Sequence, residues 1–149
     1  MSVMNRNSVL LIILCGLLLS VAIVYFLVAT QEYADLLDYL GAGIKGETQE
    51  KQIEMSLFIS TGIFYIIMLI WIIKSKNKRS IPYFLSFVIS VLMICIYVAS
   101  RTVGVPPIGI EYYVGKLDVL TKILQFLIIG VSVYLFIQTK KTSTKEIKI

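Results

Sequence analysis

Apolar residues dominate four long stretches, 9–29, 53–73, 81–99 and 119–137, separated by polar connections. Each holds 19 to 21 residues. At ~1.5 Å per residue, helices of that length reach roughly 30 Å, the thickness of a bilayer's hydrocarbon core, so every stretch predicts a transmembrane helix. The expected fold is an all-α membrane protein with four transmembrane helices. The whole of 1–149 forms one domain, ending in a basic tail over 138–149.

The connections carry patterns of their own. From Thr30 to Gly41 a polar start is followed by apolar Tyr33, Leu36, Leu37 and Leu40, acidic Glu32, Asp35 and Asp38, and a glycine stop, which predicts a short amphipathic helix outside the membrane. Such a helix serves either as a lid or docking surface, or as a segment resting at the interface or on the bundle. Its acidic face argues against recruitment by anionic lipid. Next, Gly41, Gly43 and Gly46 match the spacing of a dinucleotide fingerprint. That fingerprint works only between a strand and a helix of a βαβ unit, which a 23-residue connection between membrane helices cannot hold. The glycines instead predict a helix stop and a turn, with Thr48 capping the next helix and Glu50 in its first turn.

Charge fixes the expected orientation. The first connection sets Glu32, Asp35, Asp38, Glu47, Glu50 and Glu54 against Lys45 and Lys51, six acids to two bases. The second holds Lys74, Lys76, Lys78 and Arg79, and the tail Lys140, Lys141, Lys145 and Lys148 against Glu146. Positive loops stay in the cytoplasm, so both termini are expected on the cytoplasmic side of the cell membrane, in agreement with Arg6 ahead of the first stretch. That first stretch could be a cleaved signal peptide, but its apolar run is longer than an ordinary h-region, and a retained helix is expected.

Two polar stripes run along the later helices. Ser86, Ser90, Met93, Tyr97 and Arg101 recur every three or four residues, as do Asp118, Lys122, Gln125 and Ser132. Polar groups in lipid turn inward to partners, so the stripes are expected to face each other or a shared cavity, joined by Glu54, Thr61 and Tyr65. Small residues at Gly16 and Ser20, Ser56 and Ser60, and Ser86 and Ser90 suit close helix approach. Arg101, ending the third helix, is expected to meet Asp118 or Glu111, and Asp118 to pair with Lys122 one turn on. The candidate polar cluster at the outer face is thus Glu54, Arg101, Glu111, Asp118 and Lys122. It either binds something or merely pins the helix ends as snorkelling charges. The loop between them is stiffened by Pro106 and Pro107, with Gly104 able to end the helix and Tyr112 and Tyr113 suited to the interface.

The residues Ser100, Arg101, Thr102, Gly104 and Pro106, followed by Val114, Gly115, Leu117, Asp118 and Lys122, resemble a pattern in small, largely uncharacterised four-helix membrane proteins of bacteria and archaea. The resemblance covers the last third of the chain. It implies that Arg101, Thr102, Gly104, Pro106, Gly115, Asp118 and Lys122 form the distinguishing loop and helix start, and it implies no activity. Gln125 stands where some members carry an acidic residue, which weakens a proton-shuttling role for this face.

Composition narrows the classes. A 58% hydrophobic fraction and a mean hydropathy of +0.87 rule out an ordinary soluble domain. The net charge of +5 sits beside membrane segments and so implies topology, not nucleic-acid binding. With no histidine, the usual ligands of haem, copper, zinc and non-haem iron are missing, so neither cofactor nor metal is expected. Cys15 and Cys95 lie inside apolar stretches without a CxxC and are expected to act as packing residues. An enzyme would have to rely on Asp118 or Glu111 alone, so none is expected. The expected role is a structural or accessory subunit of a membrane complex, with a membrane protein or further copies of itself as partner. The alternative is a small oligomeric transporter or channel with an outward-facing charged vestibule.

Overall fold

A computed structural model describes residues 6–43, 45–75, 79–104, 110, 112 and 114–146. Four helices follow one another up and down: α1 (Arg6–Ala42), α2 (Lys45–Ser75), α3 (Ile81–Thr102) and α4 (Lys116–Glu146). All four are long and apolar enough to cross a membrane. Each expected span lies within one of them.

The helices form a ring in which α1 packs most extensively on α2, α3 packs on α4 and α1 on α4, while α2 and α3 meet least. The core runs down the axis through Leu14, Leu18, Val21, Tyr65, Ile72, Tyr83, Ile128 and Leu135. The outer surface is apolar, with Ile12, Ile23, Ile67, Leu92 and Phe126 all exposed. Without water to satisfy them, backbone groups in lipid must pair within each segment, which is why every apolar stretch is helical.

Helix ends follow local chemistry. Pro82 occupies the first turn of α3, where its missing N–H is no loss. Gly104 ends that helix at φ 83°, with its N–H on the Ala99 carbonyl at 2.9 Å. Gly43 ends α1 at φ 73°, a left-handed conformation that a Cβ would disfavour. The expected glycine stop therefore sits at Gly43.

Three expectations change. The stretch over 30–41 is helical but is not a separate helix, because α1 runs unbroken to Ala42. No glycine or proline interrupts the chain between Thr30 and Leu40, and Thr30 turns its hydroxyl onto the Leu27 carbonyl at 2.7 Å instead of capping a new start. On that stretch only Leu36 is buried, while Tyr33, Leu37 and Leu40 are exposed. Second, α2 begins at Lys45, so Thr48 lies inside the helix and is not its cap. Third, Gly16 and the Ser20, Ser56 and Ser60 positions sit outside the helix contacts. A Cβ on Gly16 would meet nothing within 4 Å, and the three serines, exposed to the surroundings, bond to their own helix backbones. Ser86 and Ser90 are fully buried, as the pattern implied. The close approach the sequence left unmarked is at Gly62, whose missing Cβ leaves room for the Phe26 ring.

Candidate functional site

The site lies at the end of the bundle that carries the Gly43 turn. There α3 finishes, α4 starts, and α1 and α2 pass alongside. Gly115 precedes the first turn of α4, and Asp118 in that turn reaches back so that its Oδ2 accepts the Gly115 N–H at 3.1 Å. This is one half of a capping box, made by an acid where the helix dipole favours negative charge. The same oxygen accepts a second hydrogen bond, from Arg101 Nη2 at 3.2 Å. The ion pair is partly buried, with side-chain exposures of 15% for Arg101 and 28% for Asp118. Helix end and helix start are thus joined by a single carboxylate.

One turn deeper, ~6 Å along α4, Lys122 lays its ammonium over the Tyr97 ring, 4.6 Å from the centroid, and Arg101 stacks on the same ring at 5.0 Å. Lys122 Nζ also donates to Gln125 Oε1 at 3.2 Å. An ammonium only donates, so this bond sets the Gln125 amide with its NH2 pointing inward. That NH2 donates to Tyr25 OH at 2.9 Å and to Tyr65 OH at 3.2 Å, and Tyr65 in turn shares a hydrogen bond with Ser90 at 3.2 Å. Phe58, Tyr25 and Tyr65 are stacked in sequence, centroids 6.1 and 6.0 Å apart. A polar thread therefore runs from Lys122 to Ser90, and it touches all four helices.

A second ionic group lies beside the first. Lys51 donates to Glu54 at 2.8 Å and to Glu32 at 2.9 Å, tying α2 to α1. Glu54 is 4% exposed. Two cavities share this region. One, of about 520 Å³, is bounded by Gln31, Glu32, Arg101, Lys116 and Asp118. The other, of about 150 Å³, lies deeper, between Tyr25, Glu54, Leu57, Ile96, Tyr97 and Lys122.

Of the residues expected here, Arg101, Asp118 and Lys122 come together, with Asp118 the partner of Arg101. Glu54 lines the same cavity but is held by Lys51. Lys122 takes Gln125, three residues on, as its hydrogen-bond partner. Gly115 takes part through its backbone and Gly104 by ending α3. Thr102 is exposed and bonded to its own Val98 carbonyl at 2.8 Å, so it stands outside the site. Glu111 and Pro106 lie outside the described residues. Ser132, expected on the same α4 face, is buried away from the thread. It lines a cavity of about 280 Å³ with Tyr83, Phe84, Phe87 and Phe136. Sequence reasoning missed Tyr25 and Lys51. Tyr25 sits in an apolar run where only its hydroxyl betrays it, whereas Lys51 was legible as a partner three residues ahead of Glu54.

The thread makes a prediction. Gln125→Leu removes the amide from both tyrosine hydroxyls and from Lys122, leaving Tyr65 with Ser90 and Lys122 with the Tyr97 ring, whereas Gln125→Glu keeps an acceptor for all three and gives the ammonium a counter-charge. The leucine variant is expected to lose about 1–2 kcal/mol, in line with interhelical hydrogen bonds in membranes, and the glutamate variant less. Unfolding by denaturing detergent checks the order, and equal losses would mean the amide is mere filling.

No family model matches this chain, and neither a curated protein nor a solved structure does. The resemblance to small four-helix membrane proteins rests on its quoted residues alone.

Proposed function

We propose that this chain is a multi-pass protein of the cell membrane, both termini cytoplasmic, that serves as a structural or accessory subunit of a larger membrane complex. The observation that carries this reading is the stalk formed by the end of α1 and the start of α2. The cavity at Glu32, Arg101 and Asp118 sets the level at which α3 ends and α4 begins. Beyond Glu32, α1 continues for ten more helical residues, ~15 Å. The shortest helix, α3, is ~33 Å long and by itself matches the hydrocarbon thickness. The stalk then stands in water, yet Tyr33, Leu37 and Leu40 form an exposed stripe along it, 50 to 54% accessible. An apolar stripe kept in water is the mark of a protein contact.

The charges at the two ends support that orientation. Asp35, Asp38 and Glu50 lie at the stalk, and Lys74, Arg79, Lys140 and Lys141 at the opposite end. The cavity of about 520 Å³ at the charged end favours the second reading, a small transporter or channel. Against it, the axis below Gln125 is filled by Leu18, Ile72, Tyr83, Ile128 and Leu135, each with no exposed surface.

The experiment is extraction of native membranes in mild detergent, followed by native-gel separation and mass spectrometry of what migrates with the chain. Stoichiometric co-migration with a larger membrane protein is expected, and Leu37→Glu with Tyr33→Ser should reduce it about tenfold or more, as for loss of a contact worth ~1.4 kcal/mol. The same variant should leave stability of the isolated chain within about 0.5 kcal/mol, because the changed residues face outward. Migration only with itself would shift the weight to an autonomous oligomer.

A further inference from the structure

The cavity of about 150 Å³ is closed by Tyr25 and Val28 of α1 and by Asp118, Thr121 and Lys122 of α4. Its remaining walls are α2 and α3, the neighbours that pack least. The rim residues there, Leu57 and Ile96, are 50% and 42% exposed. They belong to the apolar surface that faces lipid in a bilayer. The cavity thus opens sideways toward hydrocarbon, lined by Leu57, Phe58, Met93 and Ile96, while its far wall carries a cation.

That cation is Lys122. Its contacts are the Gln125 amide oxygen and the Tyr97 ring, both neutral. The nearest acid on its helix, Asp118, is engaged with Arg101 and the Gly115 N–H. Glu54, on the facing wall, is engaged with Lys51 at 2.8 Å. Of the charged side chains that line the cavity, Glu54, Arg101, Asp118 and Lys122, the lysine is the one without a salt bridge among the described residues. A fixed ammonium with neutral partners, at membrane depth, is a standing demand for an anion.

We propose that this cleft binds a free long-chain fatty acid, with its carboxylate at Lys122 and its chain leaving between Leu57 and Ile96 into the bilayer. Size selects the head group. A cavity of this volume takes up a benzene-sized molecule, which accommodates a carboxylate and its first methylenes but not a glycerophosphate. Lysine meets the carboxylate as a point charge, and Tyr97 covers it. The inference needs only that the helices span a bilayer, and it stands apart from the search for a protein partner.

The test uses the full chain in nanodiscs of a zwitterionic phospholipid freed of fatty acids, titrated with radiolabelled oleate. Saturable binding of one oleate per chain is expected, with oleyl alcohol at least about tenfold weaker because it lacks the charge that Lys122 reads. Lys122→Gln should weaken oleate about tenfold or more and Lys122→Arg should restore most of it, with helical content and a single elution peak confirming the fold. Leu57→Trp with Ile96→Trp should block entry without altering any charge. Should Lys122→Gln fail to fold, the comparison of oleate with oleyl alcohol on the unaltered protein decides. Equal binding of acid and alcohol, undiminished binding by Lys122→Gln, or displacement of oleate by a stoichiometric anionic phospholipid would each overturn the proposal.

Discussion

Asp118→Ala is expected to be among the most damaging single changes in this protein, costing about 2–3 kcal/mol of bundle stability. One oxygen of Asp118 accepts from both Arg101 Nη2 and the Gly115 N–H, so its loss removes a cross-helix ion pair and a helix-start bond together. A cap of this kind contributes about 0.5–2 kcal/mol. Fully buried ion pairs lose about 3–5 kcal/mol when one partner is removed. This pair is 15% and 28% exposed and the guanidinium also lies over the Tyr97 ring, so water and the ring relieve it and the loss falls below that range. Asp118→Asn retains an acceptor oxygen and should lose roughly half as much.

A double-mutant cycle with Arg101→Ala separates the two contributions, since the cap survives in Arg101→Ala and the ion pair does not. Positive coupling of about 1 kcal/mol or more between the two changes is expected. Additive losses would mean that Asp118 acts only as a cap and that Arg101 is held by Tyr97 and its other neighbours. Because α3 and α4 are linked through this pair, the lost stability should appear as earlier proteolysis near residues 104–115, with the α1–α2 pair unaffected.

The sequence made some of this legible and hid the rest for identifiable reasons. The four helices were plain because lipid admits few alternatives to helix for an apolar run of that length. The polar stripes on α3 and α4 were plain as well, because a period near 3.6 in polar residues is rare unless they share an interior. Which partner each charge takes was hidden. Lys122 was expected to choose Asp118, but a carboxylate already bound to Arg101 and a backbone N–H leaves the lysine to the Gln125 amide and the Tyr97 ring. Glu54 was expected in the same polar cluster without a named partner, and Lys51, three residues before it on the same helix, needs no tertiary placement to reach it. The end of α1 was misjudged because acids and a threonine look like a new start. A helix already nucleated through 20 apolar residues continues through such residues unless glycine or proline stops it.

The small-residue pattern held for Ser86 and Ser90 but failed for the other two pairs, and this leads to the other large effect. Pairs of glycine or serine four apart invite the reading of a helix contact, yet a lone Gly62 makes the contact. A Cβ on Gly62 would stand 3.0 Å from Phe26 Cε1 and Cζ, and 3.3 Å from Cδ1. This is on α1–α2, the most extensively packed pair in the bundle. For Gly62→Ala two effects oppose. Removing glycine from a helix interior gains about 0.5–1 kcal/mol. Against this, the Phe26 ring must move by a few tenths of an ångström. Phe26 is 36% exposed, so the ring has room to yield, and the net change should lie near zero.

Gly62→Ile is another matter. Three further carbons beyond Cβ enter space the ring already fills, and α1 and α2 must separate or Phe26 must leave its rotamer. Overpacking of this kind costs about 1–3 kcal/mol in soluble cores. The upper end is expected here, because a rigid β-branched side chain cannot turn away from the preceding turn. The matched variant Gly62→Ile with Phe26→Ala removes the obstacle and should recover most of the loss. Detergent-induced unfolding of the four proteins reads this directly. If Phe26→Ala fails to rescue Gly62→Ile, the strain lies in the backbone approach of α1 to α2 and not in the ring, and the contact would then belong with glycine-mediated helix packing of the usual membrane kind.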